Sequence, residues 1–84
     1  MKTVYKYPVP MTSQAFELPL PVGFKFLRIG AQNNNMFVWL EVKKDTPQNV
    51  YKFCLYGTGQ DIPDSAEYLS TFDSGPFVIH LYKL

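Results

Sequence analysis

Residues 32–43 read QNNNMFVWLEVK, and this stretch decides the fold. From Met36 onward the side chains alternate in character. Met36, Val38, Leu40 and Val42 fall on one side of an extended chain, with Phe37, Trp39, Glu41 and Lys43 on the other. Successive side chains of a strand point to opposite faces, so one face is aliphatic core and the other is aromatic and polar. The run opens on Gln32-Asn33-Asn34-Asn35, and asparagine tolerates the left-handed backbone of a tight hairpin. A strand entered from a hairpin implies a partner before it, over about Phe24–Ala31.

Working outward, the rest of the chain predicts an all-β domain of about seven short, mainly antiparallel strands. Seven prolines and five glycines interrupt it too often for helices of average length, about 11–12 residues. The segments between them are rich in Val, Ile, Phe, Tyr and Trp, which suit a pleated, half-buried surface. Strand one covers about Thr3–Tyr7, ended by Pro8 and Pro10. Strand two covers about Gln14–Leu18, ended by Pro19 and Pro21. The fourth is Met36–Lys43, the fifth Val50–Tyr56 and the sixth Tyr68–Phe72. Asp73-Ser74-Gly75 turns into the seventh, Phe77–Lys83, where Phe77, Ile79 and Leu81 oppose Val78, His80 and Tyr82. Pro63–Glu67 predicts one short helical turn. This spacing belongs to small sandwiches and barrel-like sheets, and 84 residues suffice for one domain with a thin core.

The bulk composition narrows the function classes. The single cysteine, Cys54, allows no intrachain disulfide and no thiol cluster for zinc, and suits a reducing compartment. MKTVYKYPVP lacks the unbroken apolar stretch of a signal peptide, and no run approaches the roughly 20 apolar residues that span a bilayer. The expectation is a soluble chain, retained in the cell that makes it, with no membrane partner. A net charge of +1 argues against a general nucleic-acid coat. Residues 1–44 nevertheless carry six bases and two acids, while residues 45–84 carry two bases and five acids. Three outcomes are open: a local basic patch, head-to-tail pairing of subunits, or mixing of the charges on folding.

The aromatic-polar faces of strands four and seven are too apolar for plain solvent. Either loops cover them, or they meet a ligand or a second subunit, where Tyr, Trp and Phe are enriched. The second reading is preferred, because large exposed apolar patches mark interaction sites. Catalytic signals are poor. His80 sits within an apolar strand, Cys54 reads as a small core filler, and no nucleophile–base pair stands out. The chain therefore reads as non-enzymatic and without a cofactor.

Two segments fit ligand contact as well as plain structure. The Gly57-Thr58-Gly59-Gln60-Asp61 loop is either a turn with left-handed positions or a concavity whose N–H groups hold an anion. Lys2, Tyr5, Lys6 and Tyr7 form either an edge strand guarded by lysines or a stacking and charge-neutralising segment. For a bound nucleotide, Trp39 or Tyr5 would stack on the base. The Gly57–Gly59 turn and Lys25 or Arg28 would meet phosphate, and Gln32 or Gln60 would read an edge. His80 completes the candidate contacts.

Taken as a set, several motifs resemble a family of small phage and prophage proteins of uncharacterised function. They are Tyr5-Lys6-Tyr7-Pro8-Val9, Pro21–Gly23, Leu27–Gln32 and Trp39, then Phe53, Gly57-Thr58-Gly59 and Ile62-Pro63. Tyr68-Leu69-Ser70-Thr71 and Phe77-Val78-Ile79-His80-Leu81-Tyr82 complete the set, in order over nearly the whole chain. Two positions depart from the family pattern. The turn there continues with His-Pro where this chain has Gln60-Asp61, and Trp often precedes the last-strand histidine where this chain has Ile79. The resemblance implies a phage origin and a host-cytoplasmic setting. The expected role is a homo-oligomeric binding protein that counters host defence, by sequestering a nucleotide signal or blocking a defence protein. A structural or assembly accessory role through protein–protein contacts is the alternative.

Overall fold

A computed structural model describes residues 1–84. Its seven strands are β1 (Lys2–Pro8), β2 (Phe16–Pro21), β3 (Lys25–Gln32), β4 (Asn35–Lys43), β5 (Gln48–Gly57), β6 (Glu67–Ser74) and β7 (Phe77–Lys83), and there is no helix. Gln32 pairs with Asn35 across the β3–β4 turn, and Asn33 and Asn34 both take positive φ, 53° and 66°. A two-residue turn of that hand matches the twist of its flanking strands. The segment read as a helical turn holds only a reverse turn, closed by the Ala66 amide on the Pro63 carbonyl. Its residues are too few, between loop and strand, to propagate a helix.

The strands form two antiparallel sheets, β1-β4-β3 and β2-β5-β7-β6, packed as a sandwich and not closed into a barrel. The core lies between them. Ile29, Val38, Leu40 and Val42 of the three-stranded sheet meet Leu20, Phe53, Leu55 and Leu81 of the four-stranded one. Phe16 stacks on Phe53 at 5.9 Å and Phe24 meets Tyr51 edge-on at 4.9 Å. The space left among these side chains is an apolar void of about 10 Å³, so the interior holds no ligand cavity.

Strand two runs further than its prolines suggest, because both lie inside β2. The reason is its place at the sheet edge. Val22 donates to the Pro47 carbonyl, and amides alternate sides along a strand, so those of Leu20, Leu18 and Phe16 also point at β5. Positions 19 and 21 face the open edge, where no ladder bond is lost and further strand addition is blocked.

Each sheet also carries a bulge on an edge strand. In β3 the register passes from Phe26 opposite Leu40 to Arg28 opposite Trp39, leaving Leu27 unpaired. In β6 it passes from Tyr68 opposite Tyr82 to Ser70 opposite Leu81, leaving Leu69 unpaired. Strict alternation would turn Arg28 and Thr71 inward. The extra residue turns both outward.

Leu40 is 2% exposed at the centre of the core. Leu40→Ala should cost about 2–5 kcal/mol in urea unfolding, whereas Val50→Ala, at an exposed site, should change stability by no more than about 0.5 kcal/mol. Tyr7 packs against the core from β1, and burial first, then the neighbouring Tyr5 hydroxyl, holds its phenol above the ordinary value of 10.0. The folded state thus keeps a proton that the unfolded chain releases. This contribution is complete below pH 10 and is lost as pH rises through the raised value. Melting temperature measured against pH should fall less steeply above pH 10 for Tyr7→Phe than for the parent chain.

Candidate functional site

The outward side of the three-stranded sheet is ordered in rows across its strands. Register sets Lys6, Trp39 and Arg28 side by side. Pro8, Phe37 and Gly30 form the row on one side of them, and Val4, Glu41 and Lys25 the row on the other, followed by Lys2 opposite Lys43. Five bases therefore share this face with one acid, and the charge imbalance of the first 44 residues survives folding as a basic patch. Glu41 is itself approached by Lys2, at 3.8 Å.

Both aromatic rings of the central strand are half-buried beneath cations. The Lys6 ammonium stands 4.5 Å from the centre of the Phe37 ring and donates to Gln32 Oε1 at 2.7 Å. The Arg28 guanidinium stands 5.2 Å from the Trp39 ring centre. A cation over an aromatic face is drawn by the ring quadrupole, worth about 0.5–1 kcal/mol at exposed sites. Phe37 and Trp39 meet each other edge to face at 6.2 Å. Gly30 makes room for this arrangement, since a Cβ there would stand 2.6 Å from Arg28 Nη2.

The outward side of the four-stranded sheet has a different chemistry. Tyr82 is met edge-on by Tyr56 at 5.6 Å and by Tyr68 at 5.5 Å. Cys54 is buried on this side, opposite Tyr82, because it alternates with the inward Phe53 and Leu55. Burial first, then the Cys54 thiol, raises the Tyr56 hydroxyl above 10.0. His80 is half-buried between two threonines. Its Nδ1 lies 2.9 Å from Thr71 Oγ1, itself 2.8 Å from the Tyr68 hydroxyl, and its Nε2 lies 3.0 Å from Thr58 Oγ1. One consistent ordering runs from Tyr68 O–H to Thr71, from Thr71 O–H to Nδ1, and from Nε2–H to Thr58. Thr58 then donates to the Val78 carbonyl at 3.4 Å. Both imidazole nitrogens are satisfied by threonine hydroxyls.

The glycine turn closes on itself. The Gly57 amide donates to Gln60 Oε1 at 2.6 Å and the Gln60 amide to the Gly57 carbonyl at 3.2 Å. Only Gly59 takes a positive φ, 92°. The Gly57 N–H that an anion cradle needs is therefore occupied, as are the Gln60 oxygen and the Thr58 hydroxyl. The turn borders an open groove of about 530 Å³ shared with Pro76, Phe77 and Val78.

The candidate ligand residues do not form one site. Lys25, Arg28, Gln32 and Trp39 belong to the outward side of β1-β4-β3, while Gly57, Thr58, Gly59, Gln60 and His80 belong to the other sheet. Tyr5 lies opposite Leu40 and so points to the inward side of β1, remaining 45% exposed at the sheet edge. Trp39 and the Gly57 turn cannot clasp one nucleotide together, because β4 and β5 part into different sheets. Lys6, Phe37 and Gly30 join the Trp39 group instead.

A family model matches residues 1–84, the full length described. Its description is Domain of unknown function (DUF7352). The chain belongs to this family. No curated protein and no solved structure matches this DUF7352 chain.

Gly30→Ala in the DUF7352 chain should fold normally, because the atom in the way is the far end of a flexible side chain. It should dislodge Arg28 from Trp39 and shift the tryptophan emission in the same direction as Arg28→Ala. Emission spectra of the two variants, with circular dichroism as the folding control, check this.

Proposed function

We propose that the chain is a non-catalytic binding protein whose recognition surface is the outward face of β1-β4-β3. The observation that carries this reading is the row Lys6–Trp39–Arg28, set in a face of five bases and one acid. Aromatic and arginine side chains anchor interfaces, and a local basic field draws anions. The chemistry suits a ligand that is both anionic and aromatic, above all a nucleotide, and also an acidic protein surface.

The resemblance to small phage and prophage proteins supplies the setting. In the host cytoplasm such a protein serves the phage by countering host defence, holding a nucleotide signal or blocking a defence protein. A second reading, an accessory role in virion assembly, is favoured by the outward side of the other sheet, where Tyr68 is 53% and Val78 41% exposed. Those side chains also offer a surface for self-association, which would enlarge a core too thin for ample stability.

Native mass spectrometry of protein purified from phage-infected cells tests the reading. The parent chain should carry a small molecule or one host protein, and Trp39→Ala should lose it while remaining folded. Retention by Trp39→Ala removes the assignment to this face. Stable incorporation into particles supports the assembly role instead. Turnover of a nucleotide, abolished by His80→Gln, would replace binding with catalysis.

A further inference from the structure

We infer that the ligand of the basic-aromatic face is a short single-stranded oligonucleotide, with at least two bases joined by phosphodiesters. This rests on the reading of that face as the recognition surface and names its occupant. Three features of the face go beyond what a mononucleotide uses.

The first is the pair of rings. Phe37 and Trp39 are two residues apart on the central strand, with centroids 6.2 Å apart. Neighbouring bases in a stacked strand are about 3.4 Å apart along its axis. The wider spacing fits an extended strand with one base at each ring. At Trp39 the base stacks on the Arg28 plane that covers the ring, and at Phe37 it takes the place of the Lys6 ammonium, which turns to a phosphate. Bases stack on aromatic rings and on arginine planes alike, so the Arg28 guanidinium over Trp39 is part of the stacking deck. Gly30 leaves the space that lets it lie there.

The second feature is the length of the charged stripe. Beyond the rings the bases continue through Lys25 to Lys2 and Lys43. Phe37 to Lys43 along β4 covers roughly 20 Å at about 3.3 Å per residue. One nucleotide leaves most of that stripe uncovered, whereas a trinucleotide follows it.

The third feature is shape. Small-molecule sites are concave and largely enclose their ligand, while these rings sit on an open sheet face. The one hollow along the stripe is a shallow one of about 230 Å³, lined by Lys2, Gly23, Lys25, Glu41 and Lys43, where charge and not stacking is on offer. Open sheets that carry rings and cations hold single strands by stacking and charge, with little choice of sequence. Weak sequence preference is expected here too, because the Gln32 oxygen is already held by Lys6. Carboxylate side chains match the charge of the face but offer no flat base to stack on the Arg28–Trp39 deck.

Trp39 is the only tryptophan, so its fluorescence reports on this face alone. The parent chain is titrated with AMP, a ribotrinucleotide, a 30-nucleotide single strand and poly-glutamate, at 50 and 200 mM salt. The trinucleotide should quench Trp39 and bind at least about tenfold more tightly than AMP. With its two phosphodiester phosphates contacted, its affinity should fall about sevenfold between the two salts. Phe37→Leu should weaken the trinucleotide by a larger factor than AMP, and Lys6→Ala should reduce the salt dependence.

AMP binding as tightly as the trinucleotide overturns this inference and leaves the recognition face standing. Poly-glutamate binding without any nucleotide binding overturns it in favour of an acidic protein partner on the same face. Many copies coating the 30-mer cooperatively overturn the limit to a short ligand. Unchanged Trp39 emission with every probe, from protein folded by circular dichroism, overturns both this inference and the face itself.

Discussion

The structure depends on the burial of alternate residues of β4. Val38, Leu40 and Val42 enter the inter-sheet core, and Leu20, Leu55 and Leu81 close over them from the other sheet. Each such side chain contributes about 1.5–3 kcal/mol on burial, which is a large share of the margin available to a domain of this size. A slip of one residue in β4 would trade the three aliphatics for Phe37, Trp39 and Glu41. The Asn33-Asn34 turn prevents the slip by pinning Gln32 opposite Asn35. Core burial therefore fixes the outward position of Phe37 and Trp39 as firmly as it fixes the inward position of Leu40.

Two bulges then decide what surrounds the outward rings. Without the unpaired Leu27, Arg28 would point into an apolar core and leave a guanidinium there without a partner. With it, Arg28 reaches the Trp39 ring and lies across Gly30. The unpaired Leu69 acts likewise on the other sheet. It brings Tyr68 and Thr71 onto one side, and Thr71 joins His80. A bulge costs ladder hydrogen bonds, and both are placed on strands at sheet edges, where fewest bonds are lost. The same local device thus builds both outward clusters.

The parts of the fold legible in the sequence are those set by short-range rules. β4, β7 and the asparagine turn follow from period-two alternation and from backbone preferences, which one segment displays alone. The outward placing of Phe37, Trp39 and Tyr82 follows from the same alternation. What was not legible depends on partners. Pro19 and Pro21 signal a strand end only if the strand is central, and its edge position is a property of the whole sheet. The bulge at Leu27 leaves a faint trace, in that Lys25, Leu27 and Ile29 share a phase but not a character. Assignment of Trp39 and the Gly57 turn to different sheets left none, since strand order is a long-range outcome. The side that Tyr5 takes is hidden for a related reason: only its register against Leu40 shows it.

Strand-to-sheet assignment also explains why net charge is a poor guide to this surface. β1, β3 and β4 all come from the basic first half of the chain, whereas β5, β6 and β7 come from the acidic second half. Folding keeps those halves largely in separate sheets, so a chain of net charge +1 presents one face of five bases and one acid. At about 0.15 M salt the screening length is roughly 8 Å, while the sandwich is 16 Å across its shortest dimension. A group touching the basic face is thus shielded from most of the carboxylates on the far side. An anion placed at this face would meet the local field of Lys2, Lys6, Lys25, Arg28 and Lys43, and the near-neutral total acts only at a distance.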